Sequence, residues 1–298
     1  MNEYEIFLAI SKTSNLLLNI VSWIIGLATT LFVGWLLAKN AILLNHKHAH
    51  EKEKLYLSNK VILDFERIIQ VLQSTKTVYY HAIKYSEYPK HPVNRFINFP
   101  PVNFEKLDFD VDIGKYTFLI TSNKKLADPY ALNISRIMSI YQNINEVYNL
   151  LTKRNEMMTE ANHKLLSSSH KQAVMTATPE TVIKVLTPLK SAYLFYITEQ
   201  IINYIDYLLI ECLSWKKTFP NEVMKIIDLN YLENLDLGLI SFPEADENYE
   251  RNELFKPCPM LDFNKASEIT GFTPNELKTR IFFNIVEKYH VKNKKNIE

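Results

Sequence analysis

Three carboxylates stand in the most apolar stretch of the C-terminal half of this chain: Glu199, Asp206 and Glu211, within YLFYITEQIINYIDYLLIECL. Hydrocarbon around a carboxylate disfavours its ionised form, and proteins use that shift to make a general base or a metal ligand. Glu199 and Asp206 are seven residues apart, two helical turns, and so share one face. These three acids are the candidate catalytic residues. The commoner arrangement gives each buried acid a Lys or Arg from a neighbouring helix, because a buried charge persists when it is paired and hydrogen-bonded.

The other clusters offer less. His46, His48 and His50 crowd the stretch NHKHAHEKEK. On a helix His46 and His50 lie one turn apart and are candidate metal ligands, but His48 points to the opposite side. Two ligands make half a site, so no metal is expected. In DFDVDIG, Asp108, Asp110 and Asp112 have the look of a calcium loop, yet the glycine comes one position late and Leu119 stands where a bidentate Glu is required. Phe109, Val111 and Ile113 alternate with these acids, as in an extended segment with one buried face. His163 and His170 are two turns apart, too far for joint ligation. All-α ribonucleases of the HEPN type set an Arg and a His close enough to share one phosphate; here Arg154 precedes His163 by nine residues and Arg280 precedes His290 by ten.

Composition removes further classes. The chain has five glycines, and neither GxGxxG nor GxxxxGK[ST] occurs, so the close backbone approach of a phosphate-cradling loop is missing and no cofactor is expected. Lys and Arg (34) balance Asp and Glu (33), so no global field draws the chain to nucleic acid. The basic tail with Lys288, Lys292, Lys294 and Lys295 reads as solvated. The two cysteines, Cys212 and Cys258, form no CxxC and no disulfide framework, which fits a reduced compartment.

The elements that position these residues begin with a membrane segment. Thr13 to Ala38 contains no charge. Its 26 residues make a helix about 39 Å long, against a hydrocarbon core of about 30 Å. Glu3 and Glu5 ahead of this run, its length, and the lack of a small-residue cleavage site argue for an uncleaved signal anchor. Trp35, Lys39 and Lys47 suit the membrane interface. Lys39, Lys47, Lys52 and Lys54 follow the run and only Lys12 precedes it, so the positive-inside rule puts the C-terminal part in the cytoplasm. Ser22, Gly26, Thr30, Gly34 and Ala38, every fourth residue, form a small-residue stripe of the kind that lets two membrane helices approach, and point to a homo-oligomer.

Beyond the membrane the helical period continues through Leu55, Ile62, Phe65, Ile69, Leu72, Tyr79 and Ile83, with no Pro or Gly from 35 to 88. Pro89, Pro92, Pro100 and Pro101 predict an irregular insertion over 89–127. Asp128-Pro129 opens a helix to about Ser168, and Thr178-Pro179-Glu180 opens a second to about Lys217, too acidic at its centre to cross a membrane. Residues 241–265 read as irregular. Thr273-Pro-Asn-Glu276 is a capping box that starts a last helix, to about His290.

The expected architecture is all-α: residues 1–12 outside the cytoplasm, a transmembrane helix and its boundary over 13–44, and a cytoplasmic helical domain over 45–298. In layout the chain resembles single-pass, helical-domain membrane proteins of bacterial phage-defence and accessory loci. That resemblance implies an effector or signalling subunit at the inner membrane, with a cytoplasmic protein partner as trigger. A self-associating, non-enzymatic interaction protein bound to the lipid bilayer is therefore expected. The rival is a membrane-tethered hydrolase or nuclease that uses Glu199, Asp206 and Glu211.

Overall fold

The computed structural model describes residues 3–86, 90–109, 112–120, 129–168, 179–232, 238–240 and 253–281. Its described residues are α-helical, with short 3-10 turns and no strand among them. The chain divides into two compact units, Met1–Leu55 with Asp228–Leu237, and Tyr56–Ile227 with Gly238–Glu298.

Helix α1 runs from Glu3 to Lys84 without a break, as the absence of Pro and Gly after Gly34 requires. In the first unit its apolar run has nothing packed on it. Every residue from Leu17 to Lys47 is exposed; Trp23 is 76% exposed and Leu37 65%. Side chains this apolar on all faces are unlike the single stripe of a surface helix, and α1 is long and apolar enough to cross a membrane. The hydroxyls of Ser22 and Thr30 donate to the carbonyls of Leu18 and Gly26, both at 2.8 Å. They need no outside partner in an apolar surrounding. The 3-10 turn Leu229–Tyr231, capped by the Asp228 side chain on Asn230 N–H, completes this unit's described residues.

In the second unit five helices follow the end of α1 onto a common centre: α2 (Pro92–Ile97), α3 (Ile134–Ser168), α4 (Pro179–Leu186), α5 (Pro188–Val223) and α6 (Phe263–Thr270). A sixth, α7 (Pro274–Ile281), closes the described chain. The central element is α5: α2, α3, α4, α6 and α7 all pack against it. At one end Phe65 of α1 stacks on Trp215 at 3.9 Å between ring centres, and Trp215 stacks on Phe219 at 3.9 Å. The indole N–H donates to the Ala131 carbonyl at 3.0 Å, so this fully buried Trp leaves no polar atom unpaired. Farther along, Phe96, Met158, Val182, Leu194, Phe195 and Leu261 form an apolar cluster shared by α2, α3, α4 and α5.

Besides the start of α3, which is Ile134 after a separate 3-10 turn Pro129–Leu132 instead of Pro129 itself, four boundaries differ from expectation, three of them through proline. Pro92 does not break a helix; it occupies the first turn of α2, where its missing N–H costs nothing and His91 caps the end. Pro188 divides the helix expected from Pro179 into α4 and α5, with Thr187 between them at φ 71°. Such a backbone is strained for a β-branched residue ahead of proline, by about 1–3 kcal/mol. At the far end α5 passes Lys217 and carries Pro220 in its final turn. The fourth difference is α6, which starts inside the 241–265 stretch. Asp262 caps it through Asn264 and Lys265 N–H, and Gly271 ends it at φ 75°, a left-handed position that suits glycine. The capping box forms as expected, with Glu276 accepting from Thr273 N–H at 2.8 Å. Asp128, Thr178 and the stretch from 282 through His290 lie outside the described residues.

Phe65→Ala is expected to lower the unfolding free energy of the helical unit by about 3–5 kcal/mol, seen as an earlier urea midpoint. Trp23→Ala, on the exposed apolar run, should leave that midpoint in place; equal losses would show that the Phe65–Trp215 stack does not organise this core.

Candidate functional site

Because α5 is surrounded on most sides, its polar residues have to find partners inside the protein. Glu199 is fully buried and meets Arg95 of α2 in a two-point pair, Nε donating to Oε1 at 2.5 Å and Nη2 to Oε2 at 3.0 Å. The third arm of Arg95, Nη1, donates to the Pro259 carbonyl at 2.7 Å. Burial works against the Arg95 charge, but Glu199 beside it holds the guanidinium above its ordinary range.

Two helical turns on, Asp206 accepts from the Lys76 ammonium of α1 and, through its other oxygen, from the Cys258 backbone N–H at 2.8 Å. Lys76 also donates to the Lys256 carbonyl at 2.6 Å and lies 5.4 Å from the centre of the Tyr80 ring. Glu199 and Asp206 are thus brought to one place, bridged by the extended segment 256–259. The Cys258 thiol is pushed up first by burial and then by Asp206.

A third cation, Arg154 of α3, is fully buried and pairs with no carboxylate among the described residues. Its Nε donates to Thr198 Oγ1 at 2.9 Å, and its Nη2 to the carbonyls of Phe96, at 2.8 Å, and Phe99. The guanidinium lies 4.3 Å from the Phe99 ring centre, and burial pushes its pKa down. Glu211 stands apart, paired with Arg136 Nε at 2.5 Å on a partly exposed edge.

All three candidate acids are therefore engaged by cations. A general base must lie within reach of substrate; Glu199 and Asp206 are buried, and each of their oxygens accepts a hydrogen bond from inside the protein. What this arrangement does chemically is fix α1, α2, α3 and the 256–259 segment to α5.

The remaining candidates separate in space. His46 and His50 are exposed on α1, and no group of three His, Cys, Asp or Glu able to hold a metal occurs among the described residues. Asp112 caps a 3-10 turn by accepting from Gly114 N–H at 3.0 Å, while Phe109 stacks on Tyr141 at 4.2 Å. Ile113 is 56% exposed and takes no part in that buried face. Asp108 lines an open cavity of about 550 Å³ between residues 106–109 and α3. Asp110, His170 and the basic tail from Lys288 to Lys295 fall outside the described residues. Trp35 stacks on Phe32 at 6.1 Å and carries the Lys39 ammonium 5.1 Å from its ring centre. Along the small-residue stripe, a Cβ added at Gly26 or Gly34 would meet nothing within 4 Å.

Lys76, Arg95 and Arg154 are not identified by the sequence as core cations, although two of them leave a mark there. Lys76 falls in the apolar row Ile69, Leu72, Tyr79, Ile83, and Arg154 in the row Ile144, Val147, Leu151, Met158, each at helical spacing. A cation at a core position is the counterpart of an acid in a core helix. No protein-family model, curated protein or solved structure matches this chain.

Glu199→Ala leaves the buried Arg95 guanidinium without its carboxylate, and should cost about 3–5 kcal/mol, whereas Arg95→Met combined with Glu199→Leu should recover most of that loss. Urea denaturation of Glu199→Ala and of the double variant measures it. An unchanged midpoint for Glu199→Ala would show that the pair has no structural role.

Proposed function

We propose that this chain is a membrane-anchored interaction protein, held in the inner membrane by residues 13–44, with residues 45–298 on the cytoplasmic side. The observation that carries the proposal is the complete exposure of the apolar run from Leu17 to Leu44. Leaving that surface in water would cost roughly 25 cal/mol per Å², and a bilayer is the solvent in which the cost disappears. The excess of Lys after the run supports the orientation. A non-enzymatic role is supported by the engagement of Glu199, Asp206 and Glu211 in ion pairs. The layout shared with phage-defence membrane proteins extends the proposal to an effector that acts at the membrane when a cytoplasmic partner engages it.

Self-association through Ser22, Gly26, Thr30, Gly34 and Ala38 belongs to the same proposal. Packing rather than hydrophobicity drives helix association in lipid, and the open space over Gly26 and Gly34 leaves room for a second backbone.

Orientation is best read from an introduced cysteine, since Cys212 and Cys258 are buried and burial pushes both thiols up. Asn275→Cys, exposed on α7, should react with an impermeant maleimide only after the cells are opened; reaction in intact cells would reverse the topology. Gly26→Leu with Gly34→Leu should reduce the fraction of chain captured by cross-linking in membranes. Unchanged oligomers would take the stripe out of the assembly.

A further inference from the structure

The apolar run of α1 ends at Leu44, 48% exposed. Lys47 and His48 follow three and four residues later, which at about 1.5 Å per residue places them about 5–6 Å beyond the last lipid-facing leucine. A bilayer of about 40–45 Å around a core of about 30 Å has a headgroup layer of about 5–7 Å on each side. Lys47 and His48 therefore fall at headgroup depth when the run is in the membrane.

At this level the first unit brings in residues from far along the chain. The His48 ring, through Nδ1, hydrogen-bonds the Tyr231 carbonyl, and the two rings meet edge to face at 5.4 Å. The Lys47 ammonium donates to the Tyr231 hydroxyl at 3.3 Å and lies 5.6 Å from the ring centre. One turn farther on, the Glu51 carboxylate accepts from Asp228 N–H at 2.9 Å and from Lys54 at 2.6 Å. The turn thus climbs along α1 toward the apolar end, with Asp228 beside Glu51 and Tyr231 beside Lys47. Leu232 is buried behind it, and Leu229 is 38% exposed.

The charges are unevenly used. Glu51 is matched by Lys54 and a backbone amide. Lys47 is exposed, and its polar contact among the described residues is the neutral Tyr231 hydroxyl. An ammonium and a phenol side by side present two donors to one acceptor oxygen, and a tyrosine ring is at home where one end is apolar and the other wet.

We propose that the turn Asp228–Leu232 is a second membrane-contacting element, and that Lys47 with Tyr231 binds the phosphate of an anionic phospholipid headgroup. The occupant follows from continuity with the apolar run and from charge: a phosphate in the headgroup layer supplies an anion to an ammonium whose polar contact among the described residues is neutral. The inference rests on the membrane anchoring proposed above and extends it from one helix to a helix with a strap.

The test uses the full chain in phosphatidylcholine vesicles with and without phosphatidylglycerol, and a polarity-sensitive fluorophore on Leu229→Cys or, for reference, on Ile42→Cys. Headgroup-labelled and chain-labelled quencher lipids report depth. The Ile42 probe should be quenched from the chain region, and the Leu229 probe from the headgroup region. Spin-labelled phosphatidylglycerol should associate with the protein in preference to phosphatidylcholine, and Lys47→Gln should reduce that preference about fivefold, with Lys47→Arg retaining it and Tyr231→Phe losing part. If Ile42 is quenched while Leu229 stays in water, the strap is overturned and the anchor stands. If Ile42 is also unquenched, the anchor itself fails. A preference for phosphatidylglycerol untouched by Lys47→Gln would overturn the phosphate site.

Discussion

The pair Arg95–Glu199, with Lys76–Asp206 two turns along the same helix, constrains the helical unit more than any apolar contact does. Helix α5 is hydrophobic on most sides, and such a helix can rotate or slide against its neighbours with little change in buried area. Charges cannot. Moving an acid away from its cation leaves an uncompensated buried charge, which costs several kcal/mol. A hydrophobic replacement of equal volume is often as stable as the pair, so the ion pairs are better understood as setting the rotation and register of α5 than as the source of its stability. Arg154 serves the same end through neutral acceptors. Bound to Thr198 and to the carbonyls of Phe96 and Phe99, it ties the chain that leaves α2 to α3 and α5 together.

The helices themselves were legible where local signals are strong. The unbroken α1 and the capping box at Thr273 follow from spacing, propensity and side-chain caps. The failures cluster at proline. Pro92 and Pro188 each sit at a first turn, and a proline that starts a helix looks the same in sequence as one that stops it. At the acids, the residue types and their shared face could be read, and so could the alternative of pairing with neighbouring cations. Which cations was not readable, because Arg95 and Lys76 lie 104 and 130 residues away from their partners. Only the packing of α1 and α2 on α5 decides that.

The two most apolar helical stretches of the chain show how few residues separate a buried helix from an exposed apolar one. Residues 13–38 and the centre of α5 are alike in hydrophobic content, and both exceed what an amphipathic surface helix carries. The difference is three acids. On α5 they oblige the helix to stay with the protein's own cations, whereas the charge-free run of α1 imposes no such obligation, and its described side chains are exposed.

The segment 256–259 supplies the Cys258 amide to Asp206, the Lys256 carbonyl to Lys76 and the Pro259 carbonyl to Arg95. During synthesis these groups arrive late. Fifty-two residues separate Asp206 from Cys258, so at about 5–20 residues per second the carboxylate waits about 3–10 s on the ribosome for its amide. Through that interval α5 exists with its charges only partly satisfied. The helical unit is therefore a late folder, completed by its own C-terminal quarter after the apolar run of α1 has long since emerged. A chain truncated before residue 256 would retain most of its helices and lack the groups that close its core.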